Sequence, residues 1–328
     1  MDSFVVGSGG NQFQPTGSLS DRFVNYNEES TTMTIPPISE EIESKYWQFM
    51  RDTDSTLSAQ EIFTLLQDAE QYLALISRLE ASGETSQADA AKIRVNLRNS
   101  AKSILNRSHE LEPQARQALK DFIFQQPEFL PGEYRFTVDS MSGNIKVWEK
   151  HLNRFAHQPD LEFLEIGSFE GGSACWLLKN ILTSEGSRLT CIDTFDFAGQ
   201  GSYYLQDEGS ESMSIEDRFN FNIKQTGSGH KVRLLIGSSQ EVLRGLPFST
   251  YNFIYIDGSH KAVNVLEDAV LAWPLLKKGG LLTFDDYEWE GDSDPLNCPG
   301  VAINAFLNIF ETHYSMIHKG YQIMIEKI

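Results

Sequence analysis

The sequence predicts an α/β fold, in which a mostly parallel sheet carries helices on both faces and follows an all-helical region. Short apolar runs alternate with helical stretches through the second half of the chain, and this alternation is typical of parallel sheets. Each run also ends in a glycine or a polar residue. Because ligands of such sheets bind beyond the carboxyl ends of the strands, these ends mark the expected site.

The first run leads into a glycine-rich turn and then a helix, in the segment Phe163-Leu-Glu-Ile-Gly-Ser-Phe-Glu-Gly-Gly-Ser173. Its glycines, Gly167, Gly171 and Gly172, permit a tight turn and the close approach of a ligand. A turn of this kind presents free backbone N–H groups at a helix start, where nucleotide-like cofactors bind.

Four further strand-like runs follow, at 189–193, 232–237, 251–257 and 280–286, separated by helical stretches at about 172–183, 214–225, 239–245 and 262–277. Asp193 follows the glycine turn at close to the ~20-residue offset at which an acid meets ribose hydroxyls in nucleotide-binding folds. A nicotinamide cofactor is not expected, because the dehydrogenase fingerprint Gly-x-Gly-x-x-Gly lacks its second glycine here.

Residues 131–328 resemble the class I S-adenosylmethionine-dependent methyltransferases. Their first motif is similar to the segment Glu-Ile-Gly-Ser-Phe-Glu-Gly-Gly-Ser. Later strands of the macrolide-sugar O-methyltransferases resemble two further segments, Ile-Asp-Gly-Ser-His and Leu-Leu-Lys-Lys-Gly-Gly-Leu-Leu-Thr-Phe-Asp-Asp-Tyr. The layout is also similar to that of the metal-dependent catechol O-methyltransferases. The resemblance implies a Rossmann-like sheet of seven strands with an antiparallel last strand, and the segment 314–327, with Gly320 in a turn, suits that final hairpin.

The resemblance also assigns a set of residues to the cofactor S-adenosylmethionine. Glu165 is expected near the methionine amino group, the turn from Gly167 to Ser173 around the methionine and ribose, and Asp193 at the ribose hydroxyls. The complete expected set is Glu165, Gly167, Ser168, Gly171, Ser173, Asp193, Ser238, Ser239 and Asp257, with the two serines near the adenine.

Three carboxylates form the sharpest candidate for chemistry. Asp257 ends one strand, and Asp285 with Asp286 ends the next, so on neighbouring strands their ends lie about 5 Å apart. The negative charges of three such carboxylates repel one another unless a cation lies between them, and Mg²⁺ prefers oxygen ligands of this kind. The resemblance implies the same metal site. Two alternatives stay open: turn capping by these side chains, and a metal-free enzyme whose aspartates bind substrate amines.

His260 is the candidate general base, because imidazole titrates near neutral pH and lies three residues after Asp257. The resemblance to sugar methyltransferases implies the same role, with Asp257 beside it as the second catalytic candidate. Lys261 is the adjacent alternative, and a plain surface histidine is the other interpretation.

Two long loops are expected to shape an acceptor pocket, at 196–213 with Tyr203 and Tyr204, and at 287–301 with Trp289. The second loop is rich in acids, which either attract a cationic acceptor or form a solvated surface.

Charge and composition limit the partners. The chain carries 46 acidic against 27 basic residues, a net charge of −19, which disfavours nucleic acid and anionic membrane surfaces. Three cysteines without a disulfide or metal pattern, and a start without a signal-peptide pattern, predict a cytoplasmic protein.

Three regions are predicted along the chain: a flexible segment at 1–37, a helical auxiliary domain at 38–130 and a methyltransferase domain at 131–328. Ser58-Ala-Gln-Glu61 predicts a capping box, and an apolar stripe follows it at Leu66, Ala69, Leu73, Ile76 and Leu79. The stripe predicts a small helical bundle; a surface for homo-oligomer formation is the alternative.

These observations predict an S-adenosylmethionine-dependent O-methyltransferase, assisted by Mg²⁺, that methylates a hydroxyl of a sugar or other natural product. The alternatives are the metal-free small-molecule methyltransferase and a non-catalytic cofactor-binding module that serves interactions.

Overall fold

The computed structural model describes residues 57–107, 111–196, 213–289 and 294–328. The predicted segment 1–37, the start of the helical region and most of the loop at 196–213 therefore lie outside the described residues. Within the described ranges, every helix is too short or too polar to span a lipid bilayer.

Three helices form the first described region: α1 (Ala59–Ser82), α2 (Gln87–Arg107) and α3 (Pro113–Gln125). The predicted capping box is present at the start of α1, where the Ser58 hydroxyl accepts from the Glu61 N–H and the Glu61 carboxylate accepts from the Ser58 N–H. Gly83 ends the helix with a φ of 78°, a left-handed conformation that glycine adopts without strain.

The three helices bury a core of their own. The predicted stripe on α1 packs there against α2 and α3, with Leu66, Ala69 and Ile76 buried and Leu73 and Leu79 partly buried. This confirms the small helical bundle. Lys92 and Asn99 of α2 reach the following segment, where they contact the Asp139 carboxylate and the Thr137 carbonyl at 2.5 and 2.9 Å.

The remainder of the chain builds one seven-stranded sheet. Its strands are β1 (Glu162–Ile166), β2 (Arg188–Asp193), β3 (Val232–Ile236), β4 (Tyr251–Ile256), β5 (Leu276–Phe284), β6 (Tyr314–Lys319) and β7 (Ile323–Lys327), in the spatial order β3-β2-β1-β4-β5-β7-β6. Strands β1 to β5 pair in parallel, and β7 is antiparallel to both β5 and β6. The predicted sheet and its antiparallel last strand are confirmed.

Helices cover both faces of the sheet. They are α4 (Ile145–Leu152), α5 (Gly172–Asn180), α6 (Ile215–Gln225), α7 (Ser239–Val242), α8 (Ala262–Ala272) and α9 (Pro299–Ile309). Alternate strand residues point to opposite faces, so that Leu164 and Ile254 join a core under α8 and α9, whereas Phe163 and Phe253 join a core under α4 to α6. Hydrophobic cores therefore pack against both faces of the sheet.

Three predicted spans need correction. The helix expected at 262–277 ends at Ala272, and β5 begins at Leu276 rather than at residue 280. A 3₁₀ turn at Trp273–Leu275 separates the two, because Pro274 has no N–H with which to continue the helix. The loop expected at 287–301 already contains the start of α9 at Pro299.

Candidate active site

The turn after β1 can be formed only by glycine at its first position. Gly167 has a φ of 86°, and a Cβ atom there would lie 2.1 Å from the carbonyl oxygen of Asp257 on the neighbouring chain segment. The backbones of the β1 and β4 ends are thus in direct contact. Their hydrogen bonds extend the sheet to its polar edge, since the Asp257 N–H donates to the Ile166 carbonyl at 2.8 Å.

Asp193, at the end of β2, organises the same turn. Its carboxylate accepts hydrogen bonds from the backbone N–H groups of Ser168, Phe169 and Phe195, at 2.8, 2.8 and 2.7 Å. Phe169 and Phe195 have positive φ angles of 45° and 50°, which cost non-glycine residues about 1–3 kcal/mol each. The carboxylate therefore stabilises a strained pair of loops at the pocket edge.

A pocket of about 190 Å³ opens where the order of the strands reverses, between β1 and β4. This switch point is the usual ligand site of open α/β sheets. The pocket is lined by Ile166, Gly167, Phe169, Ile192, Asp193, Thr194, Asp196, Gly237, Ser238, Ser239, Gln240, Asp257, Gly258, Ser259, Asn264 and Asp268.

The pocket brings together five of the nine residues predicted for the cofactor: Gly167, Asp193, Ser238, Ser239 and Asp257. The other four, Glu165, Ser168, Gly171 and Ser173, lie outside its lining. The assignment of all nine residues to the cofactor stays a prediction.

Glu165 of β1 is completely buried. Its carboxylate accepts from the Ser173 hydroxyl and the Cys191 thiol, which joins β1 to β2 and to the start of α5. Burial raises the pKa of Glu165, and these hydrogen bonds offset only part of that effect. Cys175 and Cys191 are both buried.

Sequence reasoning did not identify Gln240, Asn264 and Asp268 as pocket residues. Asp268 is 1% exposed, and burial raises its pKa to about 7. An acid in an amphipathic helix normally predicts a solvated position. The one available signal was its place on α8, the helix that follows the β4 end.

The three predicted aspartates do lie together, and a buried tyrosine joins two of them. The Tyr255 hydroxyl contacts an Asp257 oxygen at 3.0 Å and also contacts Asp285. Burial, followed by the charges of Asp285 and Asp286, raises the pKa of Asp257 well above its usual range. Burial and the Asp286 charge likewise raise the pKa of Asp285.

Neutral donors surround Asp285. Its Oδ2 atom accepts from the side-chain amides of Asn144 and Gln322 at 3.2 and 3.0 Å, and its Oδ1 accepts from the Asp286 N–H at 2.8 Å. Gln322 is itself fixed by Trp148, whose indole N–H donates to its side-chain oxygen at 2.8 Å. Asp285 is thus part of a buried hydrogen-bonded network that reaches α4 and β7.

His260 lies against the third aspartate. Its Nε2 atom is 2.9 Å from Asp286 Oδ2, and the Tyr321 hydroxyl donates to Asp286 Oδ1 at 2.5 Å. Asp286 adopts a φ of 57°, an unusual conformation for a residue other than glycine. The Trp289 ring packs on the imidazole with a centroid distance of 4.3 Å. The His260 side chain remains 46% exposed, so a substrate can reach it.

The donor chemistry of this group suits a hard divalent cation, since three carboxylates lie together, and burial with their mutual repulsion raises the pKa of Asp257 and Asp285. In the described parts of the chain, however, no three His, Cys, Asp or Glu side chains are arranged to hold a metal ion. The predicted Mg²⁺ site is therefore not confirmed.

Comparison with known proteins finds a family that is similar to part of the sheet region. A family model described as a methyltransferase domain matches residues 164–287, a little over a third of the chain. An uncharacterized protein of Acanthamoeba polyphaga mimivirus is 30% identical over 146 residues, which is 44% of this chain and 59% of that protein. The chain thus aligns with less than two thirds of that relative.

Two solved structures are similar to the chain at low identity. The O-methyltransferase TomG of Streptomyces achromogenes, involved in tomaymycin synthesis and bound to S-adenosylmethionine, is 16% identical, with a TM-score of 0.43 over 62% of this chain and 84% of that one. An O-methyltransferase of Bacillus cereus in complex with SAH is 18% identical, with a TM-score of 0.42 over 79% and 100%.

The family match covers part of β1, all of β2 to β5, the glycine turn, the switch-point pocket and the aspartate group. The sheet has the strand number and the antiparallel last strand that the resemblance implied. Residues 164–287 are therefore similar to a family of methyltransferase domains, and they lie within the seven-stranded sheet.

Proposed function

We propose that this chain is an S-adenosylmethionine-dependent O-methyltransferase that acts on the hydroxyl group of a small molecule. One observation carries the proposal: Asp257 belongs both to the switch-point pocket and to the aspartate group that extends to His260. A cofactor bound in the pocket would therefore lie next to a proton acceptor that solvent can reach.

The charge of the pocket supports a cationic cofactor. Four of its lining residues are acids, Asp193, Asp196, Asp257 and Asp268, and its described lining contains no Lys, Arg or His. S-adenosylmethionine carries both a sulfonium and an ammonium charge. The five predicted residues in the lining would bind it, with Asp193 nearest the ribose and the serines nearest the adenine.

His260 would act as the general base. With its Nε2–H donated to Asp286, the imidazole keeps the Nδ1 lone pair, which takes the proton from the acceptor hydroxyl. Asp286 then stabilises the imidazolium, and Tyr321 holds Asp286 in place. As the O–CH₃ bond forms, the S–CH₃ bond breaks and its electron pair remains on sulfur. The Trp289 ring, packed on His260, would flank the acceptor.

Asp257, Asp285 and Asp286 would hold Mg²⁺, whose charge would lower the pKa of the acceptor hydroxyl. Support comes from their oxygen chemistry and from the raised pKa values of Asp257 and Asp285. The contrary observation is the engagement of Asp285 by Tyr255, Asn144 and Gln322. It favours the metal-free alternative, in which the aspartates bind an amine of the acceptor. A cationic acceptor such as an amino sugar suits both versions.

The test begins with calorimetric titration of S-adenosylhomocysteine, followed by a methyl-transfer screen of hydroxylated small molecules with Mg²⁺ or with EDTA. Saturable binding and turnover are expected. His260→Ala should lower kcat by about 10²-fold or more and leave the Kd within about threefold. His230→Ala, which removes a surface histidine paired with Glu185, is the matched control. Full turnover of His260→Ala would show that His260 is not the general base. Full turnover in EDTA would show that the reaction does not require the metal.

A further inference from the structure

The outer helical layer on one face of the sheet is apolar on its outer side as well as on its inner side. Helices α8 and α9 pack side by side in this layer, and their inner side chains belong to the core beneath them. The 3₁₀ turn Pro295–Asn297 lies against both helices. Five large hydrophobic side chains of this layer are between 43% and 69% exposed: Val263, Val270, Leu296, Val301 and Ile309. We call the surface that they form the α8–α9 face.

The α8–α9 face is a concentration of apolar residues and not a random scatter. Its members are five of the eleven large hydrophobic side chains that are exposed in the described parts of the chain. Val263 and Val270 are seven residues apart on α8, and Val301 and Ile309 are eight apart on α9, so each pair lies on one side of its helix. A helix that is apolar on all sides is normally buried. The face therefore has the character of a surface that another layer covers.

This face carries almost no charge, although the chain has a net charge of −19. Helix α9 contains no Asp, Glu, Lys, Arg or His. Helix α8 contains two acids, of which Asp268 is 1% exposed and Glu267 pairs with Arg244 at 3.0 Å. Two copies of so acidic a chain repel each other over most of their surfaces. On the α8–α9 face they meet without bringing unpaired acids together, which favours a second copy over a basic partner.

The polar residues of the face also suit a second copy. Asn304 and Asn308 are exposed on α9, and an amide side chain carries both a donor and an acceptor, so it is complementary to another amide. The Asn304 oxygen accepts from the Tyr287 hydroxyl at 3.0 Å, and its N–H₂ group is available to a partner. The two helices, of 11 residues each, are about 16 Å long. A face of this size is small among protein interfaces, so the contact is expected to be weak.

We propose that the α8–α9 face is the contact between two copies of this chain, which pair about a two-fold axis in a weak and reversible dimer. Such an axis places the two helices of one copy against the same two helices of the other, so that every contact is made twice. The apolar stripe on α1 is not used in this way, because it packs inside its own bundle. The inference goes beyond the proposed function and does not depend on which cofactor or acceptor the chain binds.

Sedimentation velocity of the full chain, at concentrations from about 1 to about 200 µM, tests the dimer. The two variants are Val270→Glu on α8 and Ile309→Glu on α9, and neither residue lines the pocket. Phe124→Glu is the matched control, because it introduces the same charge at an apolar side chain of α3 that is 84% exposed. Thermal melting of each variant establishes that it is folded.

The wild type and Phe124→Glu are expected to change from monomer to dimer as the concentration rises. Val270→Glu and Ile309→Glu should each raise the Kd of the dimer by at least about tenfold, because the two-fold axis buries the new carboxylate twice. The wild-type dimer should become tighter between about 50 and about 500 mM NaCl, since salt screens the repulsion between two acidic chains. A dimer that weakens in salt would be held by ion pairs and would contradict the inference.

Hydrogen exchange of the wild type supplies a measurement that needs no substitution. Between about 1 and about 200 µM protein, exchange in α8 and α9 should become slower, because the dimer covers both helices. Exchange in α3 should stay the same at both concentrations. Slower exchange in α3 alone would place the contact on the helical bundle and would contradict the inference.

Three further results would overturn the inference. The first is a wild type that stays monomeric at about 200 µM, which would leave residues 1–56 or a different protein as the occupant of the face. The second is a dimer whose Kd is unchanged in both Val270→Glu and Ile309→Glu. The third is a dimer that is lost in Phe124→Glu, which would place the interface on the helical bundle.

Discussion

The close approach of two backbones at Gly167 makes this residue the most sensitive single position of the pocket. A methyl group there would overlap the Asp257 carbonyl at 2.1 Å, and the φ of 86° is unfavourable for alanine. Gly167→Ala should therefore lower the free energy of unfolding by at least about 2 kcal/mol and weaken S-adenosylhomocysteine binding. Urea unfolding followed by calorimetry measures both effects.

A second glycine supplies the control for this prediction. A Cβ atom at Gly245 would have no neighbour within 4 Å, and the backbone there does not have a positive φ. Gly245→Ala should change the stability by no more than about 0.5 kcal/mol. Equal effects of the two substitutions would mean that the β1 and β4 ends are not in contact as described.

Asp268 links stability to pH. Burial raises its pKa from 3.8 to about 7 in the folded chain, so the folded state binds the proton more tightly than the unfolded state does. Its contribution to stability is full below about pH 4 and is lost as the pH rises to about 7, by up to about 1.4 kcal/mol per pH unit. Asp268→Asn, which has no such proton, should gain stability relative to the wild type across this range.

Urea unfolding of the two proteins at pH 5 and at pH 8 measures this gain. The difference in unfolding free energy between variant and wild type should be larger at pH 8. Since all other titrating groups are shared, they cancel in the comparison. A difference that is the same at both pH values would show that Asp268 titrates normally.

At the scale of the elements, hydrophobic pattern predicted the strands and their polar ends, but not the hydrogen bonds made there. The apolar runs stop at Asp193, Asp257 and Asp285, and these residues do meet at one edge of the sheet. The Asp193 carboxylate accepts three hydrogen bonds from backbone N–H groups, and these bonds depend on loops in which Phe169 and Phe195 have a positive φ. Ordinary phenylalanines carry no sequence signal for such a conformation.

The same limit applies to the side chains that connect elements. Tyr255 lies in an apolar strand and its ring is buried, as the pattern predicts, yet its hydroxyl joins two aspartates. Gln322 meets Asp285 through the hairpin of β6 and β7, far away in sequence. A pattern that repeats every two or every 3.6 residues gives the face of an element, whereas these contacts depend on the register between elements.

One such contact joins three elements around the glycine turn. Glu170 of the turn forms a buried ion pair with Arg218 of α6 at 2.7 Å, and it accepts from the Thr137 N–H and hydroxyl, both at 2.7 Å. Burial outweighs Arg218 and raises the pKa of Glu170. Arg218→Met should therefore destabilise the fold by about 3 kcal/mol or more, because it leaves a buried carboxylate without its cation.

A double-mutant cycle tests this interpretation of the ion pair. Glu170→Gln keeps acceptor and donor atoms for Thr137 while it removes the charge. The variant with both substitutions should accordingly be more stable than Arg218→Met alone, and chemical unfolding of the four proteins gives the coupling free energy. Additive losses from the two single substitutions would indicate that the pair contributes through packing and not through charge.

For the whole molecule, the separation of the hydrophobic cores bears on the predicted boundary near residue 130. Among the described residues, the core of α1 to α3 shares no residue with the two cores of the sheet. The side-chain hydrogen bonds described between the two regions include Lys92 with Asp139 and Asn99 with Thr137. A region with its own core is expected to fold by itself, so the boundary is a prediction that truncation can test.

A chain that begins at residue 127 should therefore keep the sheet, the pocket and its affinity for S-adenosylhomocysteine within about threefold of the full chain. Tryptophan fluorescence is a suitable probe, since Trp148, Trp176, Trp273 and Trp289 all lie beyond the cut. Its thermal transition should shift by only a few degrees, because Lys92 and Asp139 are partly exposed and an exposed ion pair contributes little to stability. Loss of the native fluorescence or of cooperative unfolding would mean that the helices complete the fold of the sheet region.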